Sequence, residues 1–203
     1  MTPEPLVFVI DDDQAVRQFL CKLIASVGLE VEPYAMAQTF LDAGKFERPG
    51  CLVLDIRMRE MSGLELQQEL ARRQVDLPII MLTGHGNVQV AVHAMKAGAI
   101  DFIEKPFNNE LLLDRIQHAV AESILRYDDH IKRKELSRRR DSLTTRERQV
   151  LDLVVAGMTN KVMADRLNIS EKTVENHRAR MMEKMSASSL PDLINMVAQI
   201  DIR

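Results

Sequence analysis

The 203-residue chain predicts an α/β domain on a five-stranded parallel sheet, followed through a long helical linker by an all-α domain of four short helices. Three observations carry this expectation. The first 125 residues alternate short apolar runs with helical patterns, residues 110 to 140 are helical in pattern without Gly or Pro, and the last 60 residues are helical throughout. Length agrees, because a single domain commonly has ~100–150 residues.

PLVFVI (5–10) reads as a buried strand, followed by an amphipathic helix bearing Val16, Leu20, Leu23, Ile24 and Val27. LEVEPY (29–34) is a more polar strand suited to an edge, and 36–45 a short helix. CLVLD (51–55), LPIIML (77–82) and DFIE (101–104) complete the strands. Between them lie helices over 62–72, with Leu64, Leu66 and Leu70, and over 87–97, with Val88, Ala91, Val92 and Met95. Five such βα units predict a parallel sheet with helices on both faces, with the apolar first, third and fourth strands inside.

In open sheets of this kind functional groups gather beyond the carboxyl ends of the strands. Asp11, Asp12 and Asp13 follow the first strand, Asp55 ends the third, Thr83 follows the fourth and Lys105-Pro106 the fifth. Carboxylates that close raise one another's pKa unless a cation compensates. Mg²⁺ suits the position, since it takes one or two carboxylates, keeps waters and binds phosphate oxygens. Thr83 adds a hydroxyl donor and Lys105 a mobile positive charge. The chemistry this assembles is an aspartate nucleophile accepting a phosphoryl group.

VFVIDDD, LVLDIRMREMSG, IIMLTGHG and AMKAGAIDFIEKPF resemble, in order and spacing, the receiver domain of bacterial response regulators over residues 1–125. The resemblance implies a flavodoxin-like sheet in the order 2-1-3-4-5. It implies Asp55 as phosphoacceptor, and Asp11, Asp12, Asp55 and the backbone carbonyl of Arg57 around Mg²⁺. Thr83 and Lys105 would contact phosphate, Phe102 would be the switch aromatic, and Lys105-Pro106 a cis peptide. Asp13 reads instead as an N-cap. Arg59 departs from the family, which usually has proline there.

An enzyme reading competes. Asp11-Asp12-Asp13-Gln14-Ala15 approximates the DxDx(T/V) motif of haloacid-dehalogenase-type phosphatases, with Asp11 attacking and Asp13 as acid/base. That family should show a further acidic pair downstream of the lysine, where FNNELLLDRIQ stands, and it leaves Asp55 without a role. Cys21, His85, His93 and His118 are too scattered for a metal site and read as structural or surface residues.

Leu113, Ile116, Val120, Ile124, Tyr127 and Ile131 form a heptad-like seam along the long helix. The run KRKELSRRRDS (132–142) ends it as a solvated linker. Beyond, Thr144 and Glu147 form a capping box, Gly157 is a stop signal, and Thr159 and Ser170 cap the second and third helices. Asn168 suits a left-handed helix end, and Pro191 the first turn of a fourth helix.

Three short capped helices with a turn before the third read as a helix-turn-helix. With Val174 inward, Met181 and Met185 share its face. Opposite lie Lys172, Asn176, Ala179 and Glu183, flanked by Thr173, Glu175 and Arg180. A helical dimerisation module is the alternative, because that outward face is nearly charge-balanced.

The segment LTTRERQVLDLVVAGMTNKVMADRLNISEKTVENHRARMMEKM resembles the LuxR/NarL-type DNA-binding domain. On the outward face Lys172 and Arg180 can reach phosphates; the resemblance implies Glu175, Asn176 and Ala179 at groove-facing positions and matches Thr173 and Lys184, which completes the expected DNA contacts. The whole chain is similar to response regulators of the NarL/FixJ type, with a receiver over 1–125, a helical linker over 126–141 and a DNA-binding domain over 142–203. That implies a transcription regulator rather than an enzyme, expected to activate nitrogen-fixation genes. Its implied partners are a sensor histidine kinase, double-stranded promoter DNA, RNA polymerase and, once phosphorylated, a second copy of the chain. A constitutive DNA-binding protein with a vestigial receiver is the contrasting expectation.

Residues 1–124 hold 11 Lys/Arg against 18 Asp/Glu, a net −7, and the remainder holds 16 against 12, a net +4. No apolar run reaches the ~18 residues that cross a bilayer, and the N-terminus lacks a basic region before an apolar core. A cytoplasmic protein with reduced Cys21 and Cys51 and no membrane partner is expected.

Overall fold

A computed structural model describes residues 3–84 and 88–201. The chain divides into two compact units, residues 1–128 and 129–203.

In the first unit the strands are β1 (Leu6–Ile10), β2 (Glu30–Tyr34), β3 (Gly50–Asp55), β4 (Ile79–Thr83) and β5 (Asp101–Glu104). They pair in parallel in the order β2-β1-β3-β4-β5, as expected. Helices α1 (Gln14–Ala25), α2 (Ala37–Ala43), α3 (Gly63–Arg72) and α4 (Val88–Lys96) connect them, and α5 (Asn109–Asp141) follows β5, its residues to 128 belonging to this unit and the rest to the second.

Strand alternation splits the core in two. Phe8, Ile10, Leu52, Leu54 and Met81 face one side, with Phe40 of α2, Leu66 and Leu70 of α3 and Ala94 of α4. Val7, Val9, Val53, Ile80 and Leu82 face the other, with Leu20 and Ile24 of α1 and Leu112 and Ile116 of α5. Every residue of β1 and β3 is buried, so both faces of these strands must be apolar. The polar β2 is an edge, where Pro33 costs no ladder donor on its open side. A Cβ on Gly50 would stand 1.8 Å from the Leu6 carbonyl oxygen, so the start of β3 admits only glycine against β1.

The heptad seam of α5 needs correction. The structure buries Leu112 rather than Leu113, then Ile116, Ala119 and Val120, and leaves Ile131 45% exposed. Ile116, Val120 and the partly buried Ile124 of that seam do face the sheet, and the face widens to take in Leu112 and Ala119, as the broad apolar stripe of a helix on a sheet requires. Ser123, on the same face, is buried and accepts a hydrogen bond from the Gly50 N–H at 3.0 Å.

In the second unit α6 (Thr145–Val155), α7 (Asn160–Leu167), α8 (Glu171–Met185) and α9 (Leu190–Asp201) follow α5. Their boundaries follow the caps read from sequence. Thr144 and Glu147 close a capping box, Thr159 accepts from Val162 N–H, Ser170 accepts from Thr173 N–H, and Asn168 is left-handed at φ 53°. Val150, Leu151, Val154, Met163, Val174, Met181, Met185 and Leu193 form the core. Among the described residues no helix is long and apolar enough to cross a membrane.

Candidate functional site

The first site lies on the carboxyl edge of the sheet, where winding reverses between β1 and β3. Register sets its rows. Ile10 pairs with Leu54, which brings Asp11 level with Asp55, and Asp55 pairs with Leu82, which places Thr83 one step beyond. Thr83 pairs with Glu104, and the Lys105 N–H donates to the Thr83 carbonyl oxygen at 2.6 Å. Lys105-Pro106 is a cis peptide. The helix α3 begins close behind, because a Cβ on Gly63 would come within 2.4 Å of the Asp55 carbonyl oxygen.

Lys105 Nζ donates to Asp11 Oδ2 at 2.7 Å and to Asp55 Oδ1 at 2.7 Å. Both acceptors are nearly inaccessible, Asp11 at 1% and Asp55 at 6%, so two buried carboxylates share one ammonium. Burial pushes the Asp55 carboxyl above its ordinary value; the Lys105 hydrogen bond and charge only partly offset this, and Asp11 adds to the rise. Burial opposes the charge on Lys105, yet its hydrogen bonds and attraction to Asp11 and Asp55 win and hold it above the usual lysine value. Asp11 Oδ1 also accepts from the Asp13 N–H at 2.9 Å, and Asp55 from the Arg57 backbone.

Asp13 caps α1, accepting from Ala15 N–H and Val16 N–H. Both bonds fall on Oδ1 and give Asp13 a structural role, while Asp55, which the phosphatase reading ignores, sits at the centre of the site. Asp12 is partly exposed, and Arg59 Nε lies 3.6 Å from its Oδ2. Thr83 is buried at 2% and Phe102 is half-buried beside the β4 core. Among the described residues no three His, Cys, Asp or Glu side chains are grouped so as to hold a metal by themselves. Of the scattered residues, Cys21 is half-buried, His93 and His118 are exposed, and His85 lies outside the described residues. Cys51 is buried, which pushes its thiol up to about 12.

The second site is α8. Lys172, Glu175, Asn176, Ala179 and Arg180 are exposed, and Thr173 is half-buried. Thr173 and Ser170 share a hydroxyl–hydroxyl bond at 2.8 Å at the helix start. Lys172 Nζ donates to Glu175 Oε2 at 3.1 Å, and both remain half or more exposed, so little holds them there against a stronger partner. Lys184 is placed differently. Its Nζ reaches Glu147 Oε2 at 2.7 Å and the Ser142 carbonyl at 3.4 Å, which commits its charge to a buried carboxylate of α6. Sequence reading missed this pair, although a glutamate in a capping box three residues into a buried helix is a signal for it. It also missed Arg17, whose guanidinium donates to the Asp11 carbonyl oxygen at 2.6 Å.

Comparison with known proteins covers both units. Residues 7–117 match the response regulator receiver domain family, and residues 141–197 match the bacterial regulatory proteins of the luxR family. The chain is similar to the transcriptional regulatory protein FixJ of Azorhizobium caulinodans, at 46% identity over 96% of this chain and 92% of that protein. It is similar to the response regulator protein TmoT of Ectopseudomonas mendocina, at 43% identity over 97% of this chain and 90% of that one. The solved structure of response regulator StyR matches with TM-score 0.90 and 43% identity, covering 97% of this chain and all of that chain.

Proposed function

The chain belongs to the response regulators that join a receiver domain to a LuxR-type DNA-binding domain, and from that premise we propose that Asp55 is its phosphoacceptor. The domains are a receiver over 1–125, a helical linker over 126–141 and a DNA-binding domain over 142–203. One observation carries the proposal: the buried carboxylate pair of Asp11 and Asp55, bridged by Lys105 beside Thr83 on the functional edge of the sheet.

A sensor histidine kinase presents a phosphohistidine. An Asp55 carboxylate oxygen attacks phosphorus, the P–N bond breaks, and the electron pair leaves on the imidazole, giving an acyl phosphate. Lys105 turns from the carboxylate to a phosphoryl oxygen, and the Thr83 hydroxyl donates to another. Arg17 steadies the Asp11 backbone through its 2.6 Å bond. The donor types suit Mg²⁺: Asp11, Asp12, Asp55 and the Arg57 carbonyl would offer only hard oxygens, and since the side chains are not grouped to hold an ion by themselves, water and the phosphoryl group would have to supply the rest. Bound there, it would neutralise the charge gathering on the phosphoryl group.

The inward pull on Thr83 and Lys105 biases β4, β5 and Phe102 between two arrangements. Val92, Met95 and Leu111 are exposed apolar residues on α4 and α5 that a second copy would cover. The dimer then sets two α8 helices about one DNA turn apart, ~34–36 Å, in successive major grooves. Lys172 and Arg180 contact backbone phosphates, while Thr173, Glu175, Asn176 and Ala179 face base edges. Lys184 serves this surface from behind, fixing α8 to α6 through Glu147. The protein works in the cytoplasm, where promoter DNA and RNA polymerase are met, and it regulates transcription by activation. Nitrogen-fixation genes are one target set; FixJ and TmoT relatives match almost equally, so similarity does not choose the promoters.

Asp55→Asn tests the reading. A small phosphodonor with Mg²⁺ labels the wild type and leaves the variant unlabelled, and labelling of the variant to the same extent would move the acceptor elsewhere.

A further inference from the structure

Arg59 lies in the loop between β3 and α3, which brings its guanidinium to the acidic edge. Glu60 adopts a left-handed φ of 69°, and Met61 N–H donates to the Arg59 carbonyl oxygen at 2.9 Å, so the chain turns tightly at this point. The side chain is 93% exposed, yet its Nε comes within 3.6 Å of Asp12 Oδ2. Asp11 and Asp55 already share Lys105, which leaves Asp12 as the carboxylate of the trio whose neighbouring cation is held only by a surface ion pair. A divalent cation arriving at this edge therefore meets Arg59 as a rival for Asp12.

We propose that Arg59 is a positioning residue that weakens divalent-cation binding at the phosphorylation site by competing for Asp12. The inference rests on the reading of Asp11, Asp12 and Asp55 as the cation site. Because the guanidinium is solvated, its effect is modest, about two- to fivefold in cation affinity, and it fades as salt screens it. The consequence is regulatory. The chain becomes competent for phosphoryl transfer at a higher divalent-cation concentration than an uncharged residue at this position would require.

The test measures Mn²⁺ binding to the full, unphosphorylated chain by the electron paramagnetic resonance signal of the free ion. At low ionic strength Arg59→Met should bind Mn²⁺ about two- to fivefold more tightly than wild type, and Arg59→Lys should stay near wild type. Added KCl should close the gap, and Asp12→Asn should shrink it. Equal affinity of wild type and Arg59→Met, both binding measurably, would overturn the role of Arg59 while leaving the cation site intact. A gap that persists in high salt or in Asp12→Asn would overturn competition for Asp12. Absence of Mn²⁺ uptake by every variant, wild type included, would overturn the cation-site reading and this inference with it.

Discussion

Replacing Lys105 with methionine keeps most of the side-chain volume and removes the charge that two buried carboxylates share. Breaking a buried ion pair by deleting one partner costs about 3–5 kcal/mol. Here the lysine side chain is 22% exposed, so water already offsets part of the charge. Asp11 keeps its bond from Asp13 N–H, and Asp55 keeps its bond from the Arg57 backbone. The expected loss is therefore about 2–3 kcal/mol at neutral pH without divalent cations, a factor of about 30 or more in the opening equilibrium. Burial already holds the Asp55 carboxyl above its ordinary value, and removing Lys105 removes the principal influence that lowers it. A carboxyl raised in the folded state takes up a proton more readily there than in the unfolded chain. The deficit is thus full above the folded pKa and shrinks as pH falls through it toward the unfolded value. Hydrogen exchange of β1 and β3 amides in the full chain reads this unit separately from the other. Equal protection in wild type and Lys105→Met at neutral pH would refute the shared-charge account. A deficit that ignores pH would assign the loss to packing of the lysine stem.

Two further outcomes follow from α8. Lys172→Ala with Arg180→Ala should weaken promoter binding and lower the steepness of its salt dependence by about two per protomer, with helicity unchanged; a gel-shift affinity and salt slope equal to wild type would remove both residues from the phosphate contacts. Lys184→Met should cost about 1–2 kcal/mol in hydrogen-exchange protection of α6, discounted because the lysine is more than a third exposed. The Lys184 hydrogen bond, then that from Thr144, holds Glu147 below the ordinary glutamate value, so its contribution is complete above that value and lost as pH falls through the folded pKa; the variant should show a smaller acid loss.

Strand apolarity, Asp13 as a cap, and the helix ends at Thr144, Asn168 and Ser170 were legible because each depends on neighbours within a few residues. The juxtaposition of Asp11, Asp55, Thr83 and Lys105 was also legible, since parallel strands deliver their carboxyl ends to one edge whatever their side chains. The α5 seam was legible only at Ile116, Val120 and Ile124, because which of Leu112 and Leu113 is buried, and where the sheet stops covering the helix, depend on how the helix lies on the sheet. Arg17 on the Asp11 carbonyl and Lys184 on Glu147 were hidden for a similar reason: a cation's partner is chosen by what the fold brings within reach.

By itself, then, the sequence determined the two kinds of domain and which residues line the sheet edge, through periodicity, caps and strand exits that act locally. Tertiary structure decided how charge is distributed among them. One ammonium serves two buried carboxylates, an exposed guanidinium stands by the third, and a lysine on α8 is turned back to a buried glutamate. Those assignments depend on distance and burial, which spacing along the chain does not encode.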